Sequence, residues 1–191
     1  MQSGFIVTSI LAAANTTAVI MVFMLMQSKL VLDPTQTEDL AIEVARLFVK
    51  KGLTLATAES CTGGAIGAAL TSLPGSSAWF NGGIISYSNS AKINLLGVEA
   101  EAIKAHGAVS KEVVEAMAIG GCQAMTASVC VAVSGIAGPD GGTTEKPVGS
   151  VWIACSQDGL VVTSQLHHFK GSRKKIQNDA VCMALKALIS Q

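Results

Sequence analysis

Four stretches of the chain bring together residues that could do chemistry. The first, Ala58-Glu59-Ser60-Cys61-Thr62-Gly63-Gly64, stands between a short apolar run and the next helical pattern. A serine on such a strand-to-helix turn has an accessible hydroxyl. The N–H groups of Cys61, Thr62, Gly63 and Gly64 and the helix dipole can stabilise negative charge beside it, as an acyl-transfer nucleophile requires. The same residues also read as a plain helix cap with glycines for a tight bend. Cys61 is an alternative nucleophile, but without an activating histidine nearby a lone cysteine is more often packing. The second stretch runs from Gly82 to Lys92. Tyr87 falls at the end of a strand and Lys92 about one helical turn later, so both can point to the edge that carries Ser60. Serine with lysine makes a nucleophile without histidine, provided burial lowers the lysine pKa enough for it to accept a proton. The alternative is a solvated lysine beside an amphipathic tyrosine.

The third stretch, Ser134 to Gly149, is rich in glycine and carries Ser134, Gly135, Asp140 and Lys146. A loop of this kind can fold over a substrate and offer it backbone donors; so long a structureless connection is otherwise unusual. It matches neither a phosphate-binding P-loop nor a dinucleotide fingerprint. The fourth, Phe169-Lys170-Gly171-Ser172-Arg173-Lys174-Lys175, opens the last helix. Arg173 beside a capping serine and free helix N–H groups suits a phosphate, or is simply a solvated basic helix start. His106, His167 and His168 have no carboxylate or cysteine at ligand spacing and read as structural or exposed.

The elements that must position these residues alternate. Thr37 predicts the cap of a helix whose apolar positions Leu40, Ile42, Val44, Ala45, Leu47 and Phe48 follow a 3.6-residue period, ended by Gly52. A buried strand over 53–59, a helix over 63–73, a loop at 74–77 and a strand over 79–87 follow. Helices are expected over 90–96, 100–105 and from Ser110 to Met125, then a strand over 128–134. Two apolar runs, 150–156 and 160–168, flank Gln157-Asp158-Gly159, a strong hairpin signal. A helix over 172–189 closes the pattern. The expected fold is α/β, a three-layer α/β/α sandwich whose sheet is mixed because the late hairpin is antiparallel.

At 191 residues, half of them apolar, the chain can bury a core without disulfides or metals. Thirteen basic residues balance thirteen acidic ones, and no basic block is interleaved with aromatics, so nucleic acid is not expected as a partner. The five cysteines show no metal-ligand spacing and read as reduced thiols of a cytoplasmic protein. Residues 1–32 form an apolar N-terminal extension distinct from a domain over 33–191. Phe5 to Met26 is uncharged and long enough to cross a bilayer, but it contains Thr8, Ser9, Asn15, Thr16 and Thr17 and no basic residue precedes it. It reads as a membrane anchor with the main domain held on the cytoplasmic side, as a buried helix, or as an extension upstream of a start at Met24 or Met26. A membrane is expected as a partner only if this run inserts.

In this order, AESCTGG, GGIISYSNSAKINLLGV, HGAVSKEVVEAMA, SGIAGPDGGTTEKPVGSVWIA and FKGSRKKI closely resemble the C-terminal domain of the competence-damage-inducible protein CinA. The resemblance runs from about Thr37 to the C-terminus. It does not extend to the family's molybdopterin-binding-like partner domain, so the pyrophosphatase activity linked to that domain is not assigned. The stand-alone members of the family are nicotinamide-nucleotide amidohydrolases. The resemblance therefore implies hydrolysis of nicotinamide mononucleotide to nicotinate mononucleotide and ammonia, with no metal or other cofactor, by a homodimer. It places the catalytic roles on Ser60, Tyr87 and Lys92 and a substrate contact on Arg173. Thr62, Gly63, Gly64, Ser134 and Gly135 complete the expected binding set. Lys92 is expected to take the Ser60 proton directly or through Tyr87. A nucleotide-binding regulatory module without catalysis is the alternative, and a membrane-tethered scaffold a third.

Overall fold

The computed structural model describes residues 34–190, so the apolar run at 5–26 lies outside the described residues. The first element, α1 (Pro34–Lys51), buries Ala41, Val44 and Phe48. It starts before Thr37, which is therefore no cap. The Thr37 hydroxyl instead lies 3.3 Å from Cys182 Sγ on the last helix. Then come β1 (Leu55–Glu59), α2 (Ala65–Thr71), β2 (Phe80–Ile85), α3 (Asn89–Leu96), α4 (Ala100–His106) and α5 (Lys111–Met125). The chain continues with β3 (Val129–Gly135), the hairpin β4 (Ser150–Gln157) and β5 (Leu160–His168), and α6 (Arg173–Ile189). Part of the loop expected at 74–77 is a single 3-10 turn, Ser76–Ala78.

The sheet has the order β2-β1-β3-β4-β5, with β1 parallel to β2 and β3, and β4 antiparallel to both β3 and β5. This is the mixed sheet expected from the hairpin, and helices cover both faces. The first strand is buried from end to end, as a central parallel strand must be. Its two faces differ in residue size. Leu55, Val129, Val131, Val133, Val151 and Ile153 meet α1, α2 and α6. On the other face Ala56, Ala58, Cys130, Ala132 and Ala154 meet α5. Small residues on the sheet and glycines on the helix let α5 approach closely: a Cβ on Gly121 would meet Cys130 Sγ, and one on Gly120 would meet the Leu96 carbonyl oxygen.

This layering brings the carboxyl ends of β1, β2 and β3 to one edge, where open α/β sheets form their crevices. Three serine caps fix the helices entering that edge: Ser88 Oγ accepts from Ala91 N, Ser110 Oγ from Val113 N and Ser172 Oγ from Lys175 N. All five cysteines are free thiols. Among the described residues no helix is long and apolar enough to cross a membrane. Because the Gly120 contact is with backbone, Gly120→Ala is expected to destabilise the fold by about 1–3 kcal/mol, the usual cost of overpacking. Urea unfolding of parent and variant would measure it.

Candidate active site

The nucleophile turn follows β1 directly. Ser60 N donates to Val133 O at 3.0 Å and Gly63 N to Ser60 O at 3.1 Å, so the turn is tied to β3 and to itself. Gly63 and Gly64 have φ of 63° and 96°, a conformation that favours glycine, and the helix begins only at Ala65. The buried side chain of Glu59 also turns into this bend. One carboxylate oxygen accepts from Thr62 Oγ1 at 2.8 Å, Gly64 N at 2.9 Å and Ile66 N at 3.1 Å. The other accepts from Gly67 N at 2.8 Å and Thr57 Oγ1 at 3.3 Å.

The sequence reading expected four free N–H groups after Ser60. Those of Gly63 and Gly64 are taken within the protein, the first by Ser60 O and the second by the Glu59 carboxylate one residue before the serine. Among the described residues the N–H groups of Cys61 and Thr62 find no acceptor in another residue. Thr62, Gly63 and Gly64 do not line the cleft, and the Thr62 hydroxyl is given to Glu59.

Lys92 enters from the first turn of α3 and is 1 % exposed. Its Nζ lies 3.1 Å from Ser60 Oγ, 2.8 Å from Ser86 O and 3.5 Å from Tyr87 O, and no carboxylate among the described residues pairs with it. Burial without a counter-charge lowers its pKa from the ordinary 10.5, opposed in part by the nearby Cys61 thiol. Nζ donates to all three neighbours, to Ser60 Oγ as well as to the two carbonyls. The pKa of Cys61 moves the other way, pushed by burial up to about 12. Burial thus favours the protonated thiol, the less nucleophilic form of a cysteine.

Tyr87 stands differently from expectation. Its ring is 60 % exposed, and its phenolic oxygen accepts from Arg173 Nη2 at 3.1 Å; only its main-chain carbonyl faces Lys92. Arg173, the first residue of α6, also donates from Nη1 to Gly138 O at 2.8 Å, so it clasps the end of β2 to the glycine-rich loop. The Ser134 hydroxyl donates to Ala108 O at 2.7 Å, and Gly135 packs against β4 too closely for a side chain. On the far side of the loop, Lys146 Nζ donates to His106 O at 2.7 Å.

Ser60, Cys61, Tyr87, Lys92, Ser134, Gly135 and Arg173 thus share one cleft of about 190 Å³, with Asn89, Ala108, Val109 and Ala137 completing the wall. A larger cavity of about 560 Å³ between β5 and the end of α6 contains none of them. Four contributors were not singled out in the sequence: Glu59, Ser86, Asn89 and Gln177, whose Nε2 donates to Cys61 O at 2.9 Å. Glu59, Ser86 and Asn89 sit inside the quoted motifs. The contact of Gln177 spans more than a hundred residues and leaves no local signal. His106 proves to face a carboxylate, with Nδ1 3.8 Å from Glu112 Oε2, whereas His167 stacks on Phe169 with ring centroids 5.6 Å apart. Among the described residues no group of His, Cys, Asp and Glu could hold a metal ion.

The model of the CinA C-terminal domain matches residues 37–191. The chain belongs to this family. Among its relatives is the nicotinamide-nucleotide amidohydrolase PncC of Enterobacter agglomerans, 45 % identical over 154 residues that make up 80 % of this chain and 93 % of that one. The protein of the same name from Escherichia coli K12 is 44 % identical over 152 residues, covering 80 % and 92 % of the two chains. The crystal structure of the competence/damage inducible protein CihA from Agrobacterium tumefaciens superposes with a TM-score of 0.80 at 41 % identity, covering 84 % of this chain and 98 % of that one. A CinA superfamily protein from Klebsiella pneumoniae gives 0.78 at 38 % identity, over 81 % and 96 %. Longer relatives share only this domain: the CinA-like protein of Parasynechococcus marenigrum is matched over 37 % of its length.

The buried lysine makes a signed prediction. Its folded pKa lies below its unfolded one, so above the folded value the unfolded chain binds the extra proton, and stability rises with pH up to about 10.5. Below the folded value the cost of the buried charge is felt in full. The stability of the parent relative to Lys92→Met is therefore expected to improve as pH is raised from neutral toward 10. A difference that stays flat in urea titrations across that range would show that Lys92 titrates normally.

Proposed function

We propose that this chain hydrolyses the carboxamide of nicotinamide mononucleotide to nicotinate mononucleotide and ammonia, with Ser60 as nucleophile and Lys92 as its base. The observation that carries this reading is the 3.1 Å approach of a buried, carboxylate-free lysine amine to a serine hydroxyl at a strand-to-helix turn. Family membership and the names of the PncC relatives support the substrate.

In the proposed cycle the neutral Lys92 amine accepts the Ser60 proton as Oγ attacks the carboxamide carbon. The oxyanion of the tetrahedral intermediate faces the N–H group of Cys61, which lines the cleft. The Lys92 ammonium then gives its proton to the departing nitrogen, which leaves as ammonia, and an acyl ester remains on Ser60. A water attacks that ester, Lys92 takes the water's proton and returns it to Ser60 Oγ, and the carboxylate product departs. Transfer from serine to lysine is direct in this geometry, since the Tyr87 phenol belongs to Arg173. Tyr87 lines the cleft wall, and Arg173 turns its guanidinium from Gly138 O and the phenol to the 5′-phosphate.

Two further expectations belong to the same reading. A β5 edge without Asp, Glu, Lys or Arg, and with Leu160 72 % and Val162 51 % exposed, supports a homodimer. Five free thiols support a reducing, cytoplasmic setting.

Ammonia release from nicotinamide mononucleotide tests the reaction. Ser60→Ala is expected to lower kcat by at least about a thousandfold while the protein still folds and binds the mononucleotide. Release by neither protein would shift the reading to a nucleotide-binding module. Arg173→Ala is expected to raise KM by about tenfold or more with kcat within a few-fold, as loss of a charged substrate contact should. Steady-state kinetics on the mononucleotide, with the dephosphorylated nucleoside as control, would separate the two effects.

A further inference from the structure

Glu59 is 1 % exposed, no Lys or Arg among the described residues pairs with it, and five donors converge on its two carboxylate oxygens. Three of these are N–H groups around the start of α2 and two are hydroxyls, one from β1 and one from the bend after Ser60. Its main chain reaches the other way. Glu59 O accepts from Ser86 N at 2.7 Å and from Ser86 Oγ at 3.4 Å. Ser86 is the residue whose own carbonyl holds Lys92 Nζ at 2.8 Å. One residue therefore joins both halves of the catalytic pair. Its side chain sets the bend that aims Ser60, and its carbonyl sets the segment that holds Lys92. The Ser60–Lys92 approach is made across this joint, between residues 32 apart in sequence.

We infer that Glu59 is the positioning residue of the Ser60–Lys92 pair: its buried carboxylate fixes the nucleophile bend and holds the Gly64, Ile66 and Gly67 N–H groups within the turn. Glu59 touches neither substrate nor Lys92 Nζ, and it does not line the cleft. A neutral amide in its place cannot satisfy the same five donors. One end of the Glu59→Gln side chain would turn an NH2 group toward N–H or O–H donors, and the bend would move. Displacements well under 1 Å at a nucleophile are enough to cost rate, at up to about a hundredfold per ångström.

The inference rests on Ser60 and Lys92 forming a nucleophile pair, and its test does not depend on the amide substrate. The full chain and its Glu59→Gln variant are reacted with a small fluorophosphonate that labels an activated serine, with Ser60→Ala as the blank. The same proteins are assayed for ammonia release from nicotinamide mononucleotide and for cooperative melting. The labelling rate and kcat are expected to fall together by about tenfold to a hundredfold, with KM within about twofold, in protein that still melts cooperatively. A variant that melts lower but labels at the parent rate would overturn the inference, since a merely structural role moves the melting temperature alone. If Glu59→Gln does not fold, Thr57→Val with Thr62→Val removes two of the five donors and is expected to slow labelling by about threefold to tenfold; parent-like labelling there overturns it equally. Slower labelling in a series that releases no ammonia from any protein would uphold the role of Glu59 while sinking the mononucleotide as substrate.

Discussion

A lysine amine buried without a carboxylate is a costly group, and the contact it makes with Ser60 governs the rest of this molecule. Taking Lys92 out of water penalises its charged form and lowers its pKa, and the fold gives up part of its stability to do so. That trade works only while the amine keeps two carbonyl acceptors and a hydroxyl within reach. The carbonyls come from the two residues that follow β2, the hydroxyl from the turn after β1, and the lysine itself from α3. The parallel pairing of β1 and β2 holds all three in register. The small residues on one sheet face let α5 press close beneath α3, so that Lys92 has nowhere to go but the cleft.

The cleft is closed by chemistry of a different kind. Arg173 bridges Gly138 and Tyr87, and Lys146 pins the far side of the same loop to the end of α4. A loop with this much glycine is thus fastened at two points by long cationic side chains. Gln177, on the same helix as Arg173, grips the carbonyl of Cys61, so α6 acts on both walls of the cleft at once.

Much of this could be read from local pattern. The serine caps Ser88, Ser110 and Ser172, the Asp158-Gly159 hairpin and the apolar runs of β1 and β3 follow short-range rules, and the elements stand within a few residues of where those rules put them. The failures are also physical. The start of α1 precedes Thr37 because Pro34, with no N–H to lose and φ already near the helical value, suits a first helical position. The N–H groups after Ser60 were counted as free because no sequence rule says that Glu59 will fold back onto them.

By itself the sequence determined the alternation of strands and helices, the mixed sheet, and the identity of the serine, lysine, tyrosine and arginine that share the cleft. The elements are matters of period and turn chemistry, which act over a few residues; the site residues come from the resemblance to the family. Only the tertiary structure decided that Lys92 reaches Ser60 directly, that the Tyr87 phenol answers to Arg173, that burial favours the protonated thiol of Cys61 and that Glu59 occupies the helix start. Each depends on burial and on partners brought from distant segments or folded back within a single turn. A side chain's charge state and its choice among several donors are set by everything that surrounds it in space.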